Sequence, residues 1–520
     1  MGRDCDGFPH LSLTTPAGLC VGLVLHGGHP VIEAARGRFR PRTIVEDPER
    51  AGVMWMVDAG ARRARAGRLY RLSEREGAWT PEVVLERLDR PHGLRVGPDG
   101  WLYVGEVQRI IRVDPRADDP AATRERVIDD LPISMPGREI RFHPLTSFVF
   151  TPSWDIVLNM GSATDRCLES LPADRCHDEV EHTAAIWRFR YLGERRWSRA
   201  REHVAHGLRN SVALVAHPSG TILQGENGSD FREVDRPHEE LNVIEDGKHY
   251  GWPYCWDHAE RDAEWARSSF SCDPGENPTY APPHLLLPPH GAPLGMLYYE
   301  AERMPELRGR LLVALHGYRD PGHRVLALEV DARGVPARDA VPREIIAGWD
   351  PSERGPRGAP VDMTVARDGK PLARRGHQRD GAAPLHGRVG GEPRGRGLER
   401  RARARRRRGL RRAPPRRAAA ALQRVPRSPR RRRRDPRAPR DAAAGLARRG
   451  GGRDAHLGAR AARRRARHAA RRTDARERAR RHPAVARVAT VSRDHPPGSS
   501  ASYESTSMRR YRRASPSVRR

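Results

Sequence analysis

The sequence predicts an all-β fold for residues 1–370, and three observations carry that prediction. Long helical periodicity is absent, while short runs of alternating apolar residues recur throughout. The runs come in couples around turns rich in Gly, Pro, Asp and Ser, as strand–turn–strand units. These units return at intervals of roughly 50–85 residues, a spacing that leaves room for about four strands each. Six units of four strands imply a six-bladed β-propeller, with a sandwich of two sheets as the alternative.

The units follow in order. TIVEDPERAGVMWMVDAG (43–60) comes first, followed by GRLYRL (67–72). PHGLRVGPDGWLYVGE (91–106) alternates on both sides of Pro98-Asp99-Gly100. TSFVFTPSWDIVLNMGS (146–162) turns at 151–154, and SVALVAHPSGTILQGEN (211–227) turns at Pro218-Ser219-Gly220. In LGMLYYEAERMPELRGRLLVALHGY (294–318) the turn has grown into an excursion. The last unit begins at PVDMTVARDG (360–369). IIRVD (110–114), AIWRFR (185–190) and VLALEV (325–330) supply further strands, and the short apolar stretch Leu19–Leu25 reads as another.

After Gly369 the pattern breaks in mid-hairpin, leaving the last blade incomplete. Of 520 residues, 371–520 hold 48 Arg against 10 Asp and Glu, whereas 1–370 hold 48 basic and 56 acidic residues. All ten Trp and all eight Phe lie before residue 350. The division expected is therefore a propeller over 1–369 and a low-complexity basic tail over 370–520. A segment so poor in apolar residues cannot offset its ordering entropy, so the tail is expected to be disordered. One reading makes it a basic arm for an acidic surface, although nothing in it supports specific nucleic-acid recognition. The other is out-of-frame translation of a GC-rich gene. Codons compatible with residues 370–378, read one base later, spell Ser-Leu-Trp-Leu-Ala-Glu-Asp-Thr, an ordinary second strand for this blade.

The six cysteines fall in local couples, Cys5 and Cys20, Cys167 and Cys176, Cys255 and Cys272, with no CxxC among them. Pairing of neighbours is the simplest of 15 connectivities, and it implies an oxidising compartment; scattered buried thiols are the alternative. No secretory signal is visible and no run approaches a membrane span. The expected location is periplasmic or secreted, with the signal upstream of this chain.

Strand entries and exits of a propeller face its mouth, so polar residues there are the candidates for chemistry. His143, in RFHPLTSFVFTP, precedes one inner strand; Arg209-Asn210 precedes the next; Asn227-Gly228-Ser229 leaves its hairpin. By residue type alone these are also a loop histidine, a surface Arg with a turn Asn, and a plain Asn-Gly turn. Taken with HYGWPYCW (249–256), LLLPPHGAPLGM (285–296) and ALHGYRDPGHRV (314–325), the ordered set resembles the glucose/sorbosone dehydrogenase family. More narrowly it is similar to the sorbosone branch of these PQQ-dependent soluble sugar dehydrogenases, over about residues 5–369.

The resemblance implies a six-bladed quinoprotein that oxidises an aldose or sugar aldehyde by hydride transfer to pyrroloquinoline quinone (PQQ), with calcium as second cofactor. It implies His143 as base, Arg209 polarising the quinone, and Arg209, Asn210, Asn227, His316 and Arg319 as cofactor contacts. The main-chain carbonyls of Gly228 and Ser229 would hold calcium, which takes oxygen ligands. Asn227 and Ser229 depart from the family's more usual Gln and Pro, and Ala359-Pro360 stand where it often has arginines for the PQQ carboxylates. Glu239-Glu240 are similar to the family's acidic pair. The alternatives are a calcium-dependent propeller lactonase, a non-catalytic sugar- or protein-binding propeller, and a chain inactive as written. The electron acceptor is open between a cytochrome c and a quinone; no CxxCH is present.

Overall fold

Turn chemistry sets the hairpins. In Pro98-Asp99-Gly100, the Asp99 carboxylate accepts the Trp101 N–H at 3.1 Å and Gly100 adopts φ +74, a conformation glycine reaches without steric penalty. The turn at Ser219-Gly220 repeats the arrangement, with φ +92 at Gly220 and a 2.8 Å bond from His217 N–H to the Thr221 carbonyl. Tight turns of this kind fix antiparallel register and so decide which residues face inward.

The computed structural model describes residues 4–35, 39–60, 64–76, 78–132, 143–167, 183–231, 233–317, 319–349, 359–369, 371–376 and 487–493. These fall in one compact unit, Met1–Ala382 with His482–Arg520. Most of the tail lies outside the described residues.

Five radial sheets each take their four main strands from one stretch of chain. Blade one comprises Pro41–Glu46, Val53–Asp58, Gly67–Arg75 and Ala78–Leu88. Blade two comprises Leu94–Val96, Leu102–Glu106, Arg109–Val113 and Glu125–Ile128. Blade three runs Phe148–Phe150, Ile156–Met160, Ala185–Phe189 and Glu202–His206, and adds the parallel edge Lys248–His249. Blade four holds Ala213–Ala216, Ile222–Glu226, Glu239–Val243 and Leu285–Leu287; blade five holds Pro293–Tyr299, Arg310–Leu315, Arg324–Glu329 and Arg343–Ile346. The first strands of successive blades lie against one another and line the axis.

The all-β propeller expected from the sequence is what forms, with one difference in the count. Five blades take their four main strands from one stretch each; the sixth sheet is composite. It joins Ala359–Val365, Pro371–Gly376 and Arg487–Arg493 to Leu19–His26, Phe8–Leu11 and Asp4–Cys5. The last hairpin therefore runs past the expected stop at 369 to Gly376, because ladder bonds are made by backbone groups whatever the side-chain pattern. Arg487–Arg493 fills the place between Pro371–Gly376 and Leu19–His26.

Every seam of the ring carries its own apolar cluster. Trp55, Val57 and Leu69 of blade one meet Leu102, Val104 and Ile111 of blade two. Tyr103 and Ile110 meet Phe148, Leu158 and Trp187 at the next seam. Comparable clusters join blades three and four, four and five, five and the closing sheet, and the closing sheet and blade one. Each side chain of Leu or Ile size contributes about 1.5–3 kcal/mol when buried. Cys5–Cys20 ties the two ends of the N-terminal strands, and Cys255–Cys272 closes a loop beside blade four. Cys167 is also disulfide-bonded, while its expected partner Cys176 lies outside the described residues. No helix among the described residues is long and apolar enough to cross a membrane.

Candidate functional site

The entries to the inner strands bring His143 and Arg209 together. Both main chains converge on Gly161-Ser162, just past the second strand of blade three. The His143 N–H donates to the Ser162 carbonyl at 3.0 Å, and the Ser162 N–H donates to the Arg209 carbonyl at 2.7 Å. A Cβ on Gly161 would lie 2.6 Å from His143 Cβ and 2.9 Å from the Arg209 carbonyl oxygen. Only glycine permits this approach.

Hydrogen bonding assigns the His143 tautomer. Ser162 Oγ donates its one proton to the Thr164 carbonyl at 2.6 Å, and it lies 2.9 Å from His143 Nδ1. Nδ1 must then be the donor, which leaves the lone pair of the neutral ring on Nε2. Burial, and after it the Arg209 charge, push the imidazole well below its ordinary pKa. At neutral pH it is an uncharged proton acceptor.

Arg209 is 3% exposed and anchored on three sides. Nη2 pairs with Asp165 Oδ1 at 2.5 Å, Nε donates to the Asp165 carbonyl at 3.1 Å, and Nη1 donates to the Asn227 carbonyl at 2.9 Å. Asp165 also accepts from Trp252 Nε1 (3.0 Å) and Ser229 Oγ (3.3 Å) through its carbonyl. The planar guanidinium thereby locks blade three to the loop after the second strand of blade four.

Behind Arg209 lie three buried carboxylates. Glu226 accepts the Asn210 N–H at 2.9 Å and Gln224 Nε2 at 2.6 Å. Glu239 accepts the N–H groups of Gly228 (2.7 Å) and Ala292 (2.8 Å). Glu240 stands opposite Glu226 across the ladder and accepts from Asn242 Nδ2 at 3.2 Å. Burial pushes Glu226 and Glu239 up to about 7; burial and the Glu226 charge raise Glu240 well above the carboxylate range. Glu226 and Glu240 floor a cavity of about 30 Å³, bordered by Gly228, Ser229, Phe231 and Trp256.

Six predicted residues thus gather in one place: His143, Arg209, Asn210, Asn227, Gly228 and Ser229. Two arrive differently. His316 sits on blade five, its ring hydrogen-bonded to the Ala359-Pro360 backbone and pushed to about 3 by burial, with Arg42 adding to the shift. Arg319 spends its fork on main chain, donating to the carbonyls of Glu233 at 2.6 Å and Phe231 at 2.8 Å. Residues that sequence reasoning missed are Asp165, Gly161, Ser162 and Glu226. The glutamate ends a visible strand, but nothing local marks Asp165.

The residues fit a bound oxygen-liganded group. Asn210 Oδ1 and Asn227 Oδ1 are buried without a hydrogen-bond partner, as is His316 Nδ1, a state that buried polar atoms rarely hold. Two such amide oxygens beside buried carboxylates are of the ligand type a hard cation takes. Arg209 already faces Glu226 and Glu239, however, and no cluster of three His, Cys, Asp or Glu among the described residues is arranged to hold a metal ion.

The glucose/sorbosone dehydrogenase family model matches residues 195–334, the stretch that carries Arg209, the carboxylates and the aromatic loop. The family resemblance stands. Among solved structures, the chain is similar to the holo PQQ domain of pyranose dehydrogenase from Coprinopsis cinerea. That match is 20% identical with a TM-score of 0.52, and covers 71% of this chain and 96% of that one. A calcium structure of a family AA12 carbohydrate-active enzyme from Trichoderma reesei matches at 16% identity and a TM-score of 0.53, with 71% and 96% covered. Both likenesses are of fold. An uncharacterised protein of Borreliella burgdorferi is 30% identical over 178 residues, 33% of this chain, and the chain spans 45% of that relative's length.

Proposed function

We propose that the protein is a quinoprotein oxidoreductase that oxidises an aldose or sugar aldehyde, with PQQ as hydride acceptor and calcium as the accompanying ion. The observation that carries this reading is the meeting of His143 and Arg209 at Gly161-Ser162. PQQ would supply a two-electron acceptor that water and amino-acid side chains lack.

The chain's own groups do the rest. His143, held as the Nδ1–H tautomer by Ser162, takes the substrate hydroxyl proton at Nε2 as hydride leaves the same carbon. Arg209, fixed by Asp165, places positive charge where oxygen charge develops. The main-chain carbonyls of Gly228 and Ser229 would hold calcium, with the Glu226 and Glu240 carboxylates bordering the same small cavity. The disulfides Cys5–Cys20 and Cys255–Cys272 favour a periplasmic or secreted location.

The test is reconstitution with PQQ and calcium, followed by absorbance and by reduction of an artificial dye with aldoses. His143→Ala is expected to lower kcat by about 10²–10⁴ with PQQ affinity retained; sugar-dependent turnover that survives the substitution rejects the assignment. The buried carboxylates favour one second reading, a calcium-dependent lactonase. Lactone hydrolysis without dye reduction would select it.

A further inference from the structure

We propose that the aromatic pair Phe231–Trp256, at the rim of the carboxylate cavity, is the face on which a saccharide ring stacks. Arg319 and His290 are the positioning residues that hold Phe231 in place. The proposal rests on the sugar-oxidising reading and names the part of the site that would select the substrate.

The two rings meet edge to face, with centroids 5.7 Å apart and planes at 78°. Both are half-buried and both border the cavity floored by Glu226 and Glu240. A pyranose presents an apolar C–H face flanked by hydroxyl donors. That pattern asks for an aromatic surface with acceptors beside it. The enclosed space is about 30 Å³, enough for a water or an ion only. A sugar ring would therefore lie on the rim. Arg166, paired with Asp262, lies 4.6 Å over the Phe231 ring and Arg236 lies 5.7 Å over Trp256, so each guanidinium covers one ring face and the sugar would take the opposite one.

Phe231 stands on a loop whose tip is in water, with Val234 72% exposed. Such a loop does not hold a ring in one orientation unaided. Here it is pinned from both sides. From blade five, Arg319 Nη2 donates to the Phe231 carbonyl at 2.8 Å and Nη1 to the Glu233 carbonyl at 2.6 Å. His290 Nε2 donates to the same Glu233 carbonyl at 2.7 Å. From blade three, Asp165 Oδ1 accepts the Asp230 N–H at 3.1 Å. One guanidinium spanning two carbonyls is a geometry that lysine's single ammonium does not reproduce.

The experiment uses the full chain. D-Glucose, D-galactose and D-xylose are each titrated against cofactor-free protein by tryptophan fluorescence, with PQQ and calcium affinity measured separately by absorbance. Near-UV circular dichroism reports whether each variant is folded. Phe231→Ala and Trp256→Ala are expected to weaken binding of the responding aldose about tenfold, raising KM while kcat and PQQ affinity stay unchanged. Arg319→Lys is expected to raise KM likewise, and the double variant Arg319→Lys with Phe231→Ala to be no worse than Phe231→Ala alone. No fluorescence response to any aldose, additive effects, or a matching loss of PQQ affinity would each overturn the proposal. Absence of PQQ binding in the unaltered protein would instead sink the quinoprotein reading and leave the sugar titration standing.

Discussion

Gly161 sets how closely the proposed base and its cationic neighbour approach. A methyl there would press on His143 Cβ at 2.6 Å and on the Arg209 carbonyl, neither of which can retreat from a packed axis. Gly161→Ala is expected to destabilise by about 1–3 kcal/mol and to lower activity further by displacing the imidazole; urea unfolding and dye assays on one preparation separate the two. The buried ionisable groups set a pH profile as well. His249 and His316 are pushed from 6.5 to about 3, chiefly by burial. Their folded state resists protonation, so the stability they contribute is present above pH 6.5 and is lost as pH falls towards 3. Glu226 and Glu239, raised from 4.5 to about 7, act oppositely: their contribution is present below pH 4.5 and is lost as pH rises to 7. Each group supplies a slope of about 1.4 kcal/mol per pH unit at most. In calcium-free buffer the opposed sets leave stability nearly level between pH 4.5 and 6.5. Below pH 4.5 the histidines are joined by carboxylates that arginines hold below their ordinary range, Glu202 by Arg190 and Asp246 by Arg188, and the urea midpoint drops steeply.

At the scale of elements, the loop between the third and fourth strands of blade four is fastened covalently because it has little core of its own. Cys255, Cys272, Tyr280, Tyr254 and Phe270 form a small cluster apart from the blades, with the Tyr254 and Phe270 rings stacked 4.8 Å apart. Cys272→Ser is expected to remove about 3 kcal/mol of loop-closure stabilisation for a 17-residue separation. Trp256 would be loosened with it, so melting temperature and aldose affinity should fall together; an unchanged affinity would detach the loop from the sugar face. The hairpins themselves were legible in the sequence, since alternation and turn residues fix them locally. The parallel edge Lys248–His249 of blade three was not. It depends on Gly207 at φ +67, where a Cβ would lie 2.3 Å from the His249 ring, and no local pattern announces that contact.

At the scale of the molecule, a ring is only as stable as its closure. The closing sheet joins N-terminal strands to Ala359–Val365, Pro371–Gly376 and Arg487–Arg493, and both flanking seams are apolar. Truncation after residue 376 is expected to bare two adjacent strand edges and to promote association, measurable by light scattering. We propose that the Arg-rich stretch arises from a shifted reading frame near codon 370. Genomic DNA across that codon is expected to spell a continuing blade in another frame, and a gene with no such continuation makes the tail genuine. Restoring the frame should raise the melting temperature, because an alternating apolar strand would then occupy the second place in the sheet, beside Ala359–Val365.

By itself the sequence determined the all-β class and the positions of the hairpins, because each is encoded within a few residues; for the cysteines it offered neighbour pairing only as the simplest of several connectivities. It also marked His143 and Arg209 as strand-entry residues. Tertiary structure decided what surrounds them. Asp165 reaches Arg209, Glu226 faces Glu240, and Arg319 turns to the Phe231 loop rather than to the cavity, through contacts between distant parts of the chain. The sixth sheet was decided the same way: closure draws on backbone hydrogen bonds from both chain regions, and backbone groups carry no sequence signal.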